Sequence, residues 1–264
     1  MNLITPYSHF SKIYDSVMSH IDFQSWANFI LEASYGDRPH DLNSILDLGC
    51  GTGILLSHFP KNLSLKVGLD ISSEMLKIAR KNLPDATFFR GNLINFQFPD
   101  QFDLITSTHD SLNYIPSEEE LEQHFFSVFQ NLKPGGYYFF DLSSEYNLIK
   151  NFHGNTFRET HGKTELIWEN LYDPKKKEIL SSLLFRKKNK KGDIIESLEH
   201  HTQKYYSPEL IQTLCQRSGL SILKTGYDYK KWNKSWKCSL INFLCIKKSF
   251  PTKMGIRKDK HFLQ

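Results

Sequence analysis

The chain has 264 residues, of which 39% are hydrophobic and 23% charged, values typical of a soluble globular protein with one domain or one domain plus an insertion. Its apolar runs are shorter than the roughly 18 residues that span a bilayer, and its N-terminus lacks the features of a secretory signal. The four cysteines show no CxxC pairing. We therefore expect a cytoplasmic protein without a membrane span, a structural metal or a disulfide framework.

The net charge of +4 is unevenly distributed along the chain. Residues 1–132 hold 8 Lys and Arg against 16 Asp and Glu, whereas the remaining residues hold 25 against 13. Basic clusters occur at Lys175–Lys177, at Arg186–Lys191 and from Lys247 onward. They indicate either an anionic partner such as RNA or, more simply, solvated turns and a loose tail.

Helical and strand patterns alternate in the first half of the chain. Apolar residues at helical spacing predict helix over residues 7–34, and a polar break follows at Asp41–Asn43. Helices are then predicted at Thr52–Phe59, Ser72–Asn82 and Ser117–Leu132, between strands SILDL, LKVGLD, ATFFR, FDLITST and GYYFFDL. This alternation predicts a parallel sheet covered on both faces.

The pattern changes after Ser144. ELIWENLYD, EILSSLLFRKK and DIIESLEHHTQKYY alternate in polarity and are separated by turn sequences, which predicts an antiparallel meander. A helix at Ser207–Arg217 and strands SILKTGYDY and SLINFLCIK follow. We therefore divide the chain into a helical cap (1–40), a core (41–145), an inserted lid lobe (146–203), the remainder of the core (204–248) and a basic flexible tail (249–264).

The stretch ILDLGCGTG places three glycines at every second position after the first predicted strand of the sheet. In an open parallel sheet, ligands bind outside the carboxyl ends of the strands, and glycines let a ligand lie against bare backbone. Asp70 ends the next strand, where a carboxylate can accept both hydroxyls of a ribose. The pattern predicts a ligand with an adenosine-like ribose.

Two kinds of ligand share this geometry. A dinucleotide site prefers GxGxxG with its pyrophosphate on the helix N-terminus, whereas this chain has GxGxG preceded by Asp47. A carboxylate there repels a pyrophosphate but suits the ammonium group of S-adenosylmethionine. A nicotinamide-dependent reductase remains an alternative.

ILDLGCGTG, VGLDISSEMLKIAR, FDLITSTHDSLNYI and LKPGGYYFFDL together resemble the motifs of class I S-adenosylmethionine-dependent methyltransferases. The resemblance is strong over residues 40–145 and looser over 200–246. The layout is similar to the bacterial branch near glycine, sarcosine and amino-sugar N-methyltransferases. It implies an α/β fold: a Rossmann-like, seven-stranded, mostly parallel sheet with N-terminal helices and an inserted antiparallel β lobe.

The resemblance also implies which residues bind the cofactor. Asp70 would hold the ribose, and Ile71 and Met75 would flank the adenine. Asn92 replaces the acidic residue that often contacts the adenine amino group. The other implied cofactor-binding residues are Tyr14, Asp47, Gly49, Cys50, Gly51, Leu93 and His109.

Three residues are candidates for proton transfer at the methyl acceptor. His109 follows the fourth core strand and titrates near neutrality, although it could instead only contact the cofactor or be structural. Glu199 and His201 alternate with Gln203 in a predicted lobe strand, so all three face one side and the first two could form an acid–base pair. Asp110, Asn113 and Tyr114 could either position the acceptor or cap and pack locally.

We therefore predict an S-adenosylmethionine-dependent methyltransferase, a monomer or homodimer, that acts on a small-molecule amine or hydroxyl. RNA is the alternative acceptor, less favoured because the lobe would enclose the site. A cofactor-binding protein without catalytic activity is the alternative from another class.

Overall fold

A computed structural model describes the fold over residues 2–36, 38, 41–189, 191–230 and 237–248. The predicted tail at 249–264 lies outside these residues. None of the helices within them is long and apolar enough to cross a membrane.

The N-terminal segment is more broken than the single helical stretch predicted for residues 7–34. It contains strand β1 (Asn2–Ile4), helix α1 (Tyr14–Val17) and helix α2 (Phe23–Tyr35), with single 3-10 turns before and after α1. The break before α2 has a local cause, because the Asp22 side chain accepts a hydrogen bond from the Ser25 N–H and so starts a new helix. The periodicity predicted the helical character but not this interruption.

The core is a seven-stranded sheet with helices on both faces, as predicted. Its elements in chain order are β2 (Ser44–Leu48), α3 (Ile54–Ser57), β3 (Leu65–Asp70), α4 (Ser73–Asn82), β4 (Thr87–Arg90), β5 (Phe102–Ser107), α5 (Glu118–Asn131) and β6 (Leu132–Ser143). Helix α6 (Pro208–Arg217) and strands β11 (Leu220–Tyr227) and β12 (Leu240–Lys247) complete it. The numbers β7 to β10 belong to the lobe strands.

The strand order β11-β12-β6-β5-β2-β3-β4 places β2 next to the point where the chain order reverses. Strands β2 to β6 pair in parallel, and β12 is antiparallel to both β6 and β11. Side chains of β2 alternate between two apolar clusters: Ile45 packs on the α2–α3 side and Leu46 on the α5–α6 side. Burial on both faces explains why β2 is almost continuously apolar.

The lobe is a separate sheet of order β1-β10-β9-β8-β7. Its elements are β7 (Thr156–His161), β8 (Thr164–Asp173), β9 (Glu178–Lys188) and β10 (Ile194–Lys204), which are joined as antiparallel hairpins. The three central strands were predicted, but the two edges were missed. Strand β7 is largely exposed and polar, and β1 is a three-residue parallel addition, so neither carries an alternating apolar pattern.

Helix α3 is shorter than the predicted Thr52–Phe59, because Gly53 adopts left-handed backbone geometry as its N-cap (φ 75°). By contrast, two other helices begin where the sequence predicts, each at a serine N-cap. The Ser72 hydroxyl accepts from the Met75 N–H at the start of α4, and the Ser207 hydroxyl does the same for Leu210 at α6.

Candidate functional site

The glycine turn between β2 and α3 lies against the carboxyl end of β3. The N–H groups of Gly49 and Cys50 both donate to the Leu69 carbonyl, at 2.7 and 3.1 Å. Gly49 and Gly51 have φ values of 71° and 53°, which non-glycine residues rarely adopt. The turn thus needs glycine for its own backbone as well as for any ligand.

Asp70 fixes this turn from the end of β3. Its Oδ2 accepts the Gly51 N–H at 2.9 Å, and its Oδ1 accepts the Ser72 N–H at 2.8 Å. Burial raises the pKa of this carboxyl, and these two hydrogen bonds oppose the rise. Since each carboxylate oxygen has two lone pairs, both can still accept a ligand hydroxyl.

The turn opens onto a cavity of about 640 Å³, which we call the glycine-turn cavity. Every residue predicted to bind the cofactor lines it: Tyr14, Asp47, Gly49, Cys50, Gly51, Asp70, Ile71, Met75, Asn92, Leu93 and His109. The sequence motifs therefore converge on one cavity, while the binding role of each residue remains a prediction.

Asp47 is a buried carboxylate on the wall of this cavity. Only 3% of it is exposed, and its Oδ1 accepts a hydrogen bond from the Thr106 hydroxyl at 2.7 Å. Burial raises its pKa to about 7, with the nearby Asp70 charge contributing, while the Thr106 hydrogen bond opposes the rise. A cationic ligand group in the cavity would favour the ionised form.

Residues at the other end of the cavity differ in exposure. Ile71 is 63% exposed although it is large and apolar, whereas Met75 is 2% exposed. The Oδ1 of Asn92 accepts the N–H groups of Ile94 and Asn95 at 3.1 and 3.0 Å. Asn92 therefore caps its own turn, and its amide oxygen is less free to receive an adenine amino group than the resemblance implied.

The cavity fits a cofactor with a ribose, an ammonium group and an adenine. At Gly51 an added Cβ would meet no atom within 4 Å, so this backbone faces open space that a ligand can fill. At Gly49 a Cβ would lie 2.7 Å from the Ser111 hydroxyl. Two carboxylates that can accept hydrogen bonds from the ribose and the ammonium group, an open backbone and apolar flanks for the adenine are the contacts that such a molecule needs.

Several residues of the cavity wall were missed by sequence reasoning. They include Phe23, Arg90, Ser111 and the segment Thr5–Ser8, which follows β1. The N-terminal segment carries no motif of its own, because its position depends on pairing with β10, some 190 residues away in sequence.

A second cavity, of about 350 Å³, lies between the core and the lobe; we call it the lobe cavity. Tyr7, Tyr14, His109 and Tyr114 line both cavities and so form their shared boundary. The lobe cavity is otherwise rich in aromatic side chains, with Phe10, Phe152, Phe157 and Trp168 among its lining residues.

His109 stands at this boundary in a rigidly held backbone. Both His109 and Asp110 have left-handed φ values, 56° and 51°. The carboxylate of Asp141 holds them, since its Oδ2 accepts the His109 N–H at 2.9 Å and its Oδ1 accepts the Asp110 N–H at 2.6 Å. The Tyr229 hydroxyl donates to the same carboxylate. This clamp was not predicted, because Asp141 follows β5 by more than thirty residues.

His109 is uncharged at neutral pH in this environment. Burial lowers its pKa to about 4, and the nearby His20 contributes. Its Nδ1 lies 2.9 Å from the Tyr14 hydroxyl. A neutral imidazole at the boundary can accept a proton, but its low basicity makes it a weaker general base than its usual pKa suggests.

Glu199 and His201 are close together, as predicted, with 3.1 Å between Oε2 and Nε2. However, Glu199 is fully buried and lines neither cavity. Its carboxylate instead accepts the N–H groups of three residues in the N-terminal segment: Tyr7, His9 and Phe10, at 2.8, 2.6 and 3.1 Å. His201 does line the lobe cavity, and its Nδ1 lies 3.1 Å from the Tyr114 hydroxyl.

No cluster of three or more potential metal ligands occurs within the part of the chain that the structure describes. All four cysteines are buried free thiols.

The fold and the glycine-turn cavity are those of an α/β protein with a Rossmann-like sheet that binds a ligand containing a nucleoside. Comparison with known proteins agrees, because residues 45–136 match the sequence model of a methyltransferase domain family. YqeM of Bacillus subtilis (strain 168) is 27% identical over 228 residues, which are 84% of this chain and 90% of that protein.

Two further proteins, one similar in sequence and one in structure, have names that state their activity. The dTDP-3-amino-3,4,6-trideoxy-alpha-D-glucopyranose N,N-dimethyltransferase of Streptomyces venezuelae is 39% identical over 99 residues, which are 38% of this chain and 42% of that enzyme. An S-adenosylmethionine-dependent methyltransferase of Clostridium acetobutylicum ATCC 824 superposes with a TM-score of 0.80 at 26% identity, covering 92% of this chain and 99% of that one.

The chain therefore carries a methyltransferase domain and is an S-adenosylmethionine-dependent methyltransferase with the class I fold. The predicted family, fold and cofactor are confirmed.

Proposed function

We propose that this enzyme methylates an amine of a small molecule bound in the lobe cavity. The observation that carries the proposal is the shared boundary of the two cavities, formed by Tyr7, Tyr14, His109 and Tyr114. A methyl group bound in the glycine-turn cavity and an acceptor bound in the lobe cavity would meet at these side chains. Positioning of this kind supplies much of the rate in group transfer.

The chain's own residues divide the work of holding the cofactor. Asp70 would accept the ribose hydroxyls, Asp47 would balance the ammonium group, and Ile71 and Met75 would enclose the adenine. S-adenosylmethionine supplies a methyl group that its sulfonium already activates. The main tasks of the protein are therefore alignment of the acceptor and exclusion of water.

Charge in the lobe cavity favours an amine over a hydroxyl. Asp110 and Glu159 line this cavity, and no lysine or arginine is among the described residues that line it. Aromatic side chains line the same cavity, and such rings favour cations. The Streptomyces venezuelae relative, by its name, is an N,N-dimethyltransferase of an amino sugar, which supports the same choice of nitrogen acceptor.

RNA is less well supported as the acceptor. Lys175–Lys177 precede β9, whereas Lys187 and Lys188 end it. An eleven-residue strand is about 35 Å long, so these clusters lie at opposite ends of the lobe. They therefore do not form one basic face around the lobe cavity.

Labelled S-adenosylmethionine offered with a fractionated cell extract tests this proposal. We expect label in a low-molecular-mass product that a cation-exchange resin retains and that elutes apart from the cofactor, which is itself a cation. We expect no labelled product with Asp70→Ala, whose fold we expect to be intact. Label recovered in RNA, or in a neutral O-methylated product, would contradict it.

A further inference from the structure

We propose that Asp110 is the counter-ion of a protonated amine in the lobe cavity and accepts the proton that the amine must lose. This inference rests on the proposed function and assigns a role that none of the predicted catalytic residues fills. Asp110 lines the lobe cavity but not the glycine-turn cavity. It therefore lies on the acceptor side of the boundary.

Contacts from both the core and the lobe hold Asp110 in its position. A left-handed backbone is uncommon for residues other than glycine, although less so for histidine and aspartate, and here Asp141 holds the N–H groups of both His109 and Asp110. From the lobe side, the Gln203 side chain donates to the Asp110 carbonyl at 3.5 Å. Elements of both core and lobe thus fix this residue at the cavity wall.

The groups around Asp110 leave its charge without a cationic partner among the described residues of the cavity. Below it lie Asp141 and Tyr229 in the core, and beside it His109, which is neutral at physiological pH. Ionisable groups of the surrounding elements that share the cavity are Tyr7, Tyr14, His20, Tyr114, Glu159 and His201. Neither a lysine nor an arginine lies among these, so an entering ammonium would be the natural counter-ion.

The acid–base properties fit this role. Burial raises the pKa of Asp110 to about 8, the Asp141 charge contributes, and a hydrogen bond from the Gln203 side chain opposes the rise. The free cavity therefore keeps much of this carboxyl protonated at neutral pH, and an entering ammonium would favour the carboxylate and release that proton to water. Burial, followed by the Asp110 charge, raises the pKa values of Tyr14 and Tyr114, so their hydroxyls stay protonated and can donate hydrogen bonds. A carboxylate with a pKa near that of an amine can exchange a proton with it at little cost.

The proton balance is simple. The N–H bond of the ammonium breaks, its electron pair stays on nitrogen as the nucleophilic lone pair, and the proton forms an O–H bond on the Asp110 carboxylate. The neutral carboxyl returns the proton to water when the cavity reopens. No metal, oxidant or reductant takes part in this step.

Binding of a simple cation and its neutral analogue tests the inference without turnover. The full chain is saturated with S-adenosylhomocysteine, and benzylamine and benzyl alcohol are titrated against it by calorimetry. We expect benzylamine to bind about tenfold or more tightly than the alcohol, as for a charge-assisted hydrogen bond. Asp110→Asn should lose this preference, while Asp193→Asn, in the exposed β9–β10 turn, should keep it.

A second measurement uses the wild-type chain with carbon-13 in its aspartate carboxyl groups. The Asp110 resonance, identified by its loss in Asp110→Asn, should titrate at a lower pH when benzylamine is bound. Equal binding of the two probes to the wild type, an unchanged preference in Asp110→Asn, or a titration midpoint that benzylamine does not move would each overturn the role.

The outcome is separable from that of the proposed function. An amine preference that is absent from the wild type, or that Asp110→Asn retains, would reject the role of Asp110 but leave methyl transfer to a small molecule standing. Conversely, label appearing in RNA would reject the acceptor class even if benzylamine bound as expected.

Discussion

The Tyr14 hydroxyl lies 2.9 Å from Nδ1 of His109, and these two side chains separate the glycine-turn cavity from the lobe cavity. One comes from the N-terminal helix α1 and the other follows core strand β5. The boundary at which methyl transfer would occur is therefore assembled from two parts of the chain that are 95 residues apart.

We expect His109 to act by position rather than by titration. Because its pKa is about 4, it is already neutral throughout the physiological range. His109→Ala should lower turnover by about tenfold through lost alignment, with the same dependence on pH as the wild type. The measurement is the rate against pH at saturating cofactor, using the acceptor found in the labelled extract. A limb of the profile between about pH 6 and 8 that disappears in the variant would show instead that His109 is the base.

Cofactor binding should release a proton from Asp47. The raised pKa of about 7 means that the free folded protein keeps this proton near pH 6, whereas an unfolded chain has lost it. Protonation of Asp47 therefore favours the folded state at low pH. This contribution to stability is lost as the pH rises from about 4, near the pKa of an unfolded aspartate, through about 7. A bound ammonium group favours the carboxylate and expels the proton. Binding of S-adenosylhomocysteine is measured by calorimetry at about pH 6 in buffers of different ionisation enthalpy. The wild type should release protons on binding and Asp47→Asn should release fewer; equal proton release by both proteins would contradict this.

The two left-handed glycines should respond differently to a methyl group. Gly49→Ala brings a Cβ to 2.7 Å from the Ser111 hydroxyl and 2.9 Å from its Cβ, so it should reduce both stability and binding. Ser111→Gly should partly rescue its stability. Gly51→Ala meets no atom within 4 Å and should cost only the backbone strain, about 1–2 kcal/mol, while it places a methyl group in the open space beside the glycine turn. Chemical denaturation and cofactor titration distinguish the two; wild-type affinity in Gly51→Ala would show that the ligand does not approach this backbone.

Glu199 should hold the N-terminal segment rather than transfer protons. Its buried carboxylate accepts three main-chain N–H groups, and Glu199→Ala would leave them without a partner. We expect faster hydrogen exchange over residues 2–10 and weaker cofactor binding, because Thr5–Ser8 line the glycine-turn cavity. Glu196→Ala removes a half-buried glutamate of the same strand that pairs with Arg186 instead of the N-terminal segment, and it is the matched control. Unchanged exchange in Glu199→Ala together with lost turnover would restore the acid–base assignment.

The sequence predicted those features that local chemistry determines. ILDLGCGTG and Asp70 predicted the turn and its ligand, because glycine spacing and a strand-end carboxylate act within a few residues of each other. Alternating polarity likewise predicted β8, β9 and β10. The domain boundaries, the cytoplasmic location and the monomeric or dimeric state stay predictions.

Contacts distant in sequence account for what was missed. The Asp141 clamp joins β6 to the residues after β5, and Glu199 joins β10 to residues 7–10. Gly68 is a further case, since a Cβ there would lie 2.6 Å from Phe88 and 2.7 Å from the Cys50 sulfur. A strand glycine gives no local indication of such a close approach.

A crystal structure of the enzyme with S-adenosylhomocysteine would locate the cofactor relative to both cavities. We expect the ribose hydroxyls on Asp70, the amino group beside Asp47 and the sulfur at Tyr14 and His109, facing the lobe cavity. A nucleoside bound outside the glycine-turn cavity, or a sulfur that faces away from the lobe, would contradict it.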